Sequence, residues 1–274
     1  MKGHRPHPTG RSPEPMIAKP RMSDWIRMAV IIPACLACAL PNSACNPDRS
    51  ATGPSSGHIS HNRIEERRAV SGVRRVEVDL PTLFNLRIEQ GDDEGLWIRT
   101  EAVTMYYLET RVIEDLLRIR NELKLPTGVR PLPDIELVLT VSDLESVEVT
   151  GPGDVEASGL DVERLSLSST GGAGLSFTDL TASELEVAVM AETTLVSGRV
   201  ASQDVHLSAT GNYSAAGLDS IEASVQVSGT GSATVRVREK LTAIIESSGS
   251  IFYSGDPVLE SSISGSGRVV QIGE

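Results

Sequence analysis

A glycine-centred tripeptide returns at nearly constant spacing through the second half of this 274-residue chain. It reads Thr150-Gly151-Pro152, Thr170-Gly171-Gly172, Thr210-Gly211-Asn212, Ser228-Gly229-Thr230, Ser248-Gly249-Ser250 and Ser264-Gly265-Ser266, with a degenerate copy at Met190-Ala191-Glu192. The intervals between the central residues are 20, 20, 20, 18, 20 and 16. Four residues before each centre stand Val147, Leu167, Val187, Leu207, Val225, Ile245 and finally Ser261. A second column, Leu160, Leu180, Val200, Leu218 and Val237, keeps nearly the same beat. No helical period produces this pattern. Alternating apolar positions between small-residue turns, repeated every ~20 residues, predict an all-β solenoid.

One coil cannot bury its apolar face alone. Stacking at ~4.8 Å turns the isolated apolar residues into continuous inward columns. Pairs such as Leu165/Leu167, Leu185/Val187 and Val205/Leu207 supply the two-residue alternation of a strand. Gly151, Gly171, Gly211, Gly229, Gly249 and Gly265 suit corners that need either a positive φ or no Cβ. The neighbouring Ser and Thr can bond to the turn's own backbone. Ser261, in the shortened last coil, fits a polar terminal cap.

Ser228-Gly229-Thr230-Gly231, Ser264-Gly265-Ser266-Gly267 and the run Gly249-Ser250-Ile251-Phe252-Tyr253-Ser254-Gly255-Asp256-Pro257 resemble motifs of the auto-transporter adhesin head (GIN) domain, a bacterial family of unknown function. The resemblance covers Val73 to Glu274. Ala191 replaces one repeat glycine, and Thr210-Gly211-Asn212 lacks the second one. It implies a right-handed parallel β-helix with no catalytic residue and no cofactor, in an adhesin-like or scaffold protein of the bacterial envelope.

Formal charge is −12, and after residue 45 there are 19 Lys/Arg against 35 Asp/Glu. So acidic a body lacks the basic footprint of nucleic-acid binding. Cys35, Cys38 and Cys45 are the three cysteines, so the body has neither disulfides nor thiolate metal sites. Residues 1–45 form an N-terminal extension and signal-type segment. From Met22, with Met16 and Met22 as alternative starts, a stretch with one basic residue, Arg27, leads to an apolar run, Met28 to Leu40, and then small residues. That run is too short to span a bilayer comfortably. Ser43-Ala44-Cys45 resembles the end of a bacterial lipobox, with Asn42 where Leu is usual, which makes Cys45 the lipidation candidate. The expectation is export to the periplasm or outer surface, with membrane contact through this anchor only. Residues 46–72 read as a flexible linker with a reach of ~25–30 Å, and 73–274 as a single β-helix domain.

Within that domain, Gln90 to Gly95 reads as a hairpin-type turn between Phe84/Leu86/Ile88 and Leu96/Ile98. Tyr106 to Arg120 fits a helix face and a strand equally, and the resemblance favours strands with a short turn. Pro126, Pro131 and Pro133 make a loop, and Ile135/Leu137/Leu139/Val141 begins the repeats.

Candidate chemistry is sparse. Asp92-Asp93 is the type of acid pair that β-helix pectin hydrolases use as general acid and base, but their accompanying Gly-His-Gly and Arg-Ile-Lys patterns are absent. A solvated acidic turn is the plainer reading. His58 and His61 lie in the linker without a third ligand, and His206 sits at an outward position. Asp154, Asp161, Asp179, Asp204 and Asp219 are dispersed, and no Arg or Lys recurs at a matching offset to complete a lyase site. The expectations are therefore no catalytic site and no metal. The alternative is a carbohydrate-active hydrolase or lyase. What the coils offer is an outward ladder of small polar groups, Ser166/Ser168, Glu184/Glu186, Ser208 and Gln226/Ser228. Its repeat could match a repeating ligand such as a cell-surface glycan, or an envelope protein.

Overall fold

The computed structural model describes residues 63–121, 134–190 and 192–273. It is a β-solenoid of about six turns with coils about 20 residues apart. Seventeen strands are present among the described residues. The first glycine-centred turn lies between β8 (Ser146–Thr150) and β9 (Gly153–Ser158), followed by β10 (Asp161–Ser169), and Ile135–Val141, expected to begin the repeats, is the strand before them. Then come four long bent strands, β11 (Ala173–Val189), β12 (Thr193–Leu207), β13 (Asn212–Val227) and β14 (Ser232–Ile245). Short strands β15 (Ser250–Ser254), β16 (Val258–Ile263) and β17 (Arg268–Gly273) close the C-terminal side.

Each long strand changes sheet at a corner. The first part of β11 pairs in parallel with β9 and the second part with β10. Asp179 (φ 54) and Gly198 (φ 129) mark these corners in β11 and β12. Both columns predicted to face inward do so. Val147, Leu167, Val187, Leu207, Val225 and Ile245 are buried, and so are Leu160, Leu180, Val200, Leu218 and Val237.

The glycine corners solve a spacing problem rather than a dihedral one. Of the six repeat glycines only Gly151 has a left-handed φ, +120. At the others a Cβ would strike the preceding coil: the backbone of Gly151 at Gly171, of Ala209 at Gly229 and of Ser247 at Gly265. Amides here bond from coil to coil, Thr230 N to Ala209 O at 2.7 Å and Gly249 N to Gly229 O at 3.2 Å. The hydroxyls do likewise, contrary to the expectation of bonding within the turn. Ser228 Oγ donates to Leu207 O and Thr230 Oγ1 to Ala209 O, both one coil back.

The N-terminal part departs most from the linear reading. It contains β1 (Arg63–Arg68), β2 (Arg75–Asp79), β3 (Phe84–Gln90), β4 (Gly95–Glu101), a short helix α1 (Ala102–Tyr107), β5 (Leu108–Ile113), β6 (Leu116–Asn121) and β7 (Ile135–Val141). Strands with a turn at Glu114 and Asp115 occupy most of the ambiguous stretch, as favoured, while α1 was not foreseen. Strand β2 lies between β6 and β8, and β3 between β7 and β9. The first coil in the sequence is thus inserted between two coils that follow it. The hairpin expectation fails for the same reason. β7 pairs with both β3 and β4, so residues 91–94 step over a strand instead of making a tight turn.

The linker expectation also needs correction where it can be examined. Residues 46–62, with the signal-type segment and Cys45, lie outside the described residues, as do the loop prolines and Ala191. Arg63–Arg68, however, is β1, antiparallel to β4. Its sequence, RIEERR, has no apolar alternation to read. Backbone pairing and surface ion pairs such as Arg63–Glu136 and Arg67–Asp93 hold it instead.

One hydrogen-bonded polar chain crosses the largely apolar interior. Tyr213 Oη donates to Gln203 Oε1 (2.9 Å), Gln203 Nε2 to Ser220 Oγ (2.8 Å), and Ser220 Oγ to Arg236 O (2.7 Å). Every member is satisfied, which makes burial of these groups tolerable. Burial pushes the Tyr213 phenol far up, so it stays protonated.

Two turn glycines three coils apart should behave oppositely. Gly229→Ala places a methyl against the Ala209 backbone and is expected to cost about 1–3 kcal/mol. Gly172 has open space around its Cβ position, so Gly172→Ala should change stability by about 0.5 kcal/mol or less. Chemical denaturation of both variants checks this, and equal midpoints would contradict the close-approach account.

Candidate functional site

The outward side of the sheet formed by β10 and the second parts of β11 to β14 is the most developed surface. Parallel register aligns its side chains into columns. Arg164, Glu184, Ser202, Glu222 and Lys240 form one, and Ser166, Glu186, Asp204, Ser224 and Thr242 the next. A third holds Ser168, Ala188, His206, Gln226 and Ile244. Neighbours within a column are separated by the strand spacing, ~4.8 Å. The first two columns line a shallow depression of about 430 Å³. A second hollow of about 290 Å³ includes Thr170, Met190, His206 and Ser228.

Charge in the larger depression is arranged from rim to centre. Arg164 bonds Glu184 at 2.6 Å, and Lys240 pairs with Glu260 at 3.1 Å. The hydrogen bond from Arg164, then its charge, holds the Glu184 carboxyl below the usual range. Between these pairs lie Glu186, Asp204 and Glu222, so the centre is acidic. Asp204 and His206 approach at 3.5 Å on the exposed face. The sequence reading names Glu184, Glu186, Asp204 and His206 singly, and not Arg164, Glu222, Lys240 or Glu260. Their grouping comes from register, which no single repeat reveals.

Of the candidate acids Asp204 joins the depression, in register with Glu186, while the others do not converge there. Asp92 and Asp93 are exposed beside β3, and Asp93 contacts only the Arg67 guanidinium among the ion pairs found. Asp154 lies on the other sheet, in register with Asn85 and Gly174. Asp161 aligns with Thr181 rather than with another acid. Asp219 corrects one expectation, because basic residues do recur beside it. Arg199 and Arg236 are its register neighbours, and Arg238 reaches it with Nε at 2.8 Å from Oδ1. The spacing was missed because bulges shift β14 against β13. The Arg238 hydrogen bond lowers the Asp219 pKa, outweighing desolvation. A carboxylate so held cannot serve as a general acid near neutral pH. Among the described residues no three His, Cys, Asp or Glu side chains group in a way that could hold a metal ion. No described helix is long and apolar enough to cross a membrane.

Comparisons with known proteins agree with this architecture. The family model described as "Putative auto-transporter adhesin, head GIN domain" matches residues 76–257. A "putative adhesin" from Bacteroides fragilis superposes with a TM-score of 0.71 at 23% identity, covering 78% of this chain and 98% of that one. A "putative lipid binding protein" from Parabacteroides distasonis gives 0.61 at 19% identity, with 78% and 98% covered. A "putative adhesin" from Parabacteroides merdae gives 0.58 at 16%, with 77% and 96% covered. At these identities the structures show a shared fold. No curated protein matches the chain.

The Asp219 arrangement has a pH signature. Its folded-state pKa lies below the unfolded value of about 3.9. Its contribution to stability is therefore present above that value and is lost as pH falls through the folded one. In an NMR titration, Asp219 should titrate below an ordinary aspartate, and Arg238→Met should move it back up. An unchanged midpoint would mean that Arg238 does not hold the carboxylate in solution.

Proposed function

The chain belongs to the auto-transporter adhesin head (GIN) domain family, which its model matches over residues 76–257, and from that premise we propose that it is a non-enzymatic, envelope-anchored scaffold whose columned face binds a repeating surface polymer. The observation that carries this reading is the register of that face. Three adjacent columns present Ser, Thr, Gln, Asp and Glu side chains in successive coils. A polymer with regularly spaced hydroxyls or amides, such as a cell-envelope glycan, can meet donors and acceptors at each step. The depression is open and shallow, which suits an extended chain lying across coils.

Hydrolysis would need an acid and a base positioned about one bond. Elimination would need a base and charge stabilisation at the same place. The scattered positions of Asp92, Asp93, Asp154, Asp161 and Asp219 favour binding over either. Family membership supports a place at the cell surface or envelope. The apolar run Met28 to Leu40, followed by small residues up to Cys45, supports lipid anchoring there.

A glycan array and peptidoglycan pull-down test the binding. Ser224→Trp, in the centre of the depression, should reduce retention by about tenfold or more, the loss of roughly 1.4 kcal/mol of binding. The same protein should release no product from pectin, alginate, chitin or peptidoglycan, with or without calcium. Cys45→Ala should leave the membrane fraction while keeping glycan binding. Retention indifferent to Ser224→Trp would reject the columned face. Product release lost in the Asp92→Asn/Asp93→Asn variant would replace the scaffold with an enzyme.

A further inference from the structure

The two ends of the described solenoid are finished differently. On the N-terminal side the outermost strand of one sheet is β1, where five of six residues are charged. Charged edge strands resist pairing with other chains. The last coil has no such protection. β16 pairs only with β14, and β17 only with β15, among the described residues. Their sequences, VLESSI and RVVQIG, carry one charge each. Glu260 is already paired with Lys240.

The apolar columns also run out at this end without being covered by any described residue. Leu259 stacks on Leu241 and Ile263 on Ile245, both of which are fully buried. Leu259 remains 39% exposed and Ile263 46% exposed. Ser261 and Gln271 make the inward surface partly polar, as expected of a terminal coil, and Gln271 Nε2 donates to Gly255 O at 2.8 Å. The polar finish is incomplete, since Leu259 and Ile263 flank Ser261 on the same face.

That flanking has a symmetry. We propose that this end docks onto the same end of a second copy, with β16 pairing antiparallel to its own equivalent about a two-fold axis at Ser261. In this register Leu259 faces Ile263 of the second copy, and Ile263 faces its Leu259, both on the inner face. Outward, Glu260 faces Ser262 and Val258 faces Ser264, so no like charges are opposed. Shifting the pairing by one residue would put inward side chains opposite outward ones, which strand pairing forbids. An isologous interface requires this self-complementarity. The columns through Leu259 and Ile263 continue from one copy into the next, and the β16 edge, which no described strand covers, becomes paired.

Sedimentation velocity of the full chain across a concentration series tests the proposal. The wild type should form a dimer. Ile263→Lys should weaken it about a hundredfold or more, because symmetry places the buried charge at the interface twice. Should that variant fail to fold by circular dichroism, Ser261→Arg at an exposed position sets two like charges on the axis and should have the same effect. Tyr106→Lys, on the exposed side of α1, should leave the dimer intact. A monomer at every concentration would overturn the proposal. So would a dimer insensitive to both β16 substitutions, or one dissolved by Tyr106→Lys.

Discussion

The distance between successive coils is the constraint from which most of this structure follows. Strands of one sheet must sit ~4.8 Å apart, and the turns joining the two sheets must keep that same separation. At the glycine corners the backbone of one coil presses against the backbone of the coil before it, at Gly171 on Gly151 and at Gly229 on Ala209. Any side chain there would wedge the stack open. The inward columns, the coil-to-coil hydrogen bonds and the aligned outer face all depend on that contact.

Regular stacking also explains where polarity can be afforded. Gln203 stands in a column shared with Leu165, Leu185, Ala223 and Leu241. It is tolerated because Tyr213 and Ser220 lie close enough to satisfy it. On the outer face the same register gathers Glu184, Glu186, Asp204 and Glu222 into one acidic depression, flanked by Arg164 and Lys240. The proposal of an extended ligand rests on this repetition of groups at the coil spacing.

Much of the fold was legible in the chain because each coil repeats the same instruction. The columns through Val187 and Leu180 could be read from spacing alone, and both are buried. Neighbour relations in the first half could not be read. The alternation Phe84/Leu86/Ile88 identifies a strand but not its partner, and β7 takes the place that a hairpin would give to β4. β1 escaped notice because its pairing rests on backbone and charge rather than on apolar pattern. The outer-face residues were visible one at a time. Their assembly depends on shifts such as the bulges between β13 and β14, which brought Arg236 beside Asp219.

Residue-resolved hydrogen exchange measures the coil contacts directly. The amides of Thr210 and Thr230, in exposed turns, and of Gly249, at a buried corner, donate to the preceding coil, to Met190 O, Ala209 O and Gly229 O. They should exchange as slowly as neighbouring strand amides such as Val187 and Val225, opening only when coils separate. Exchange of these turn amides at the rate of an open surface loop, with the strands still protected, would contradict stacking through the glycine corners.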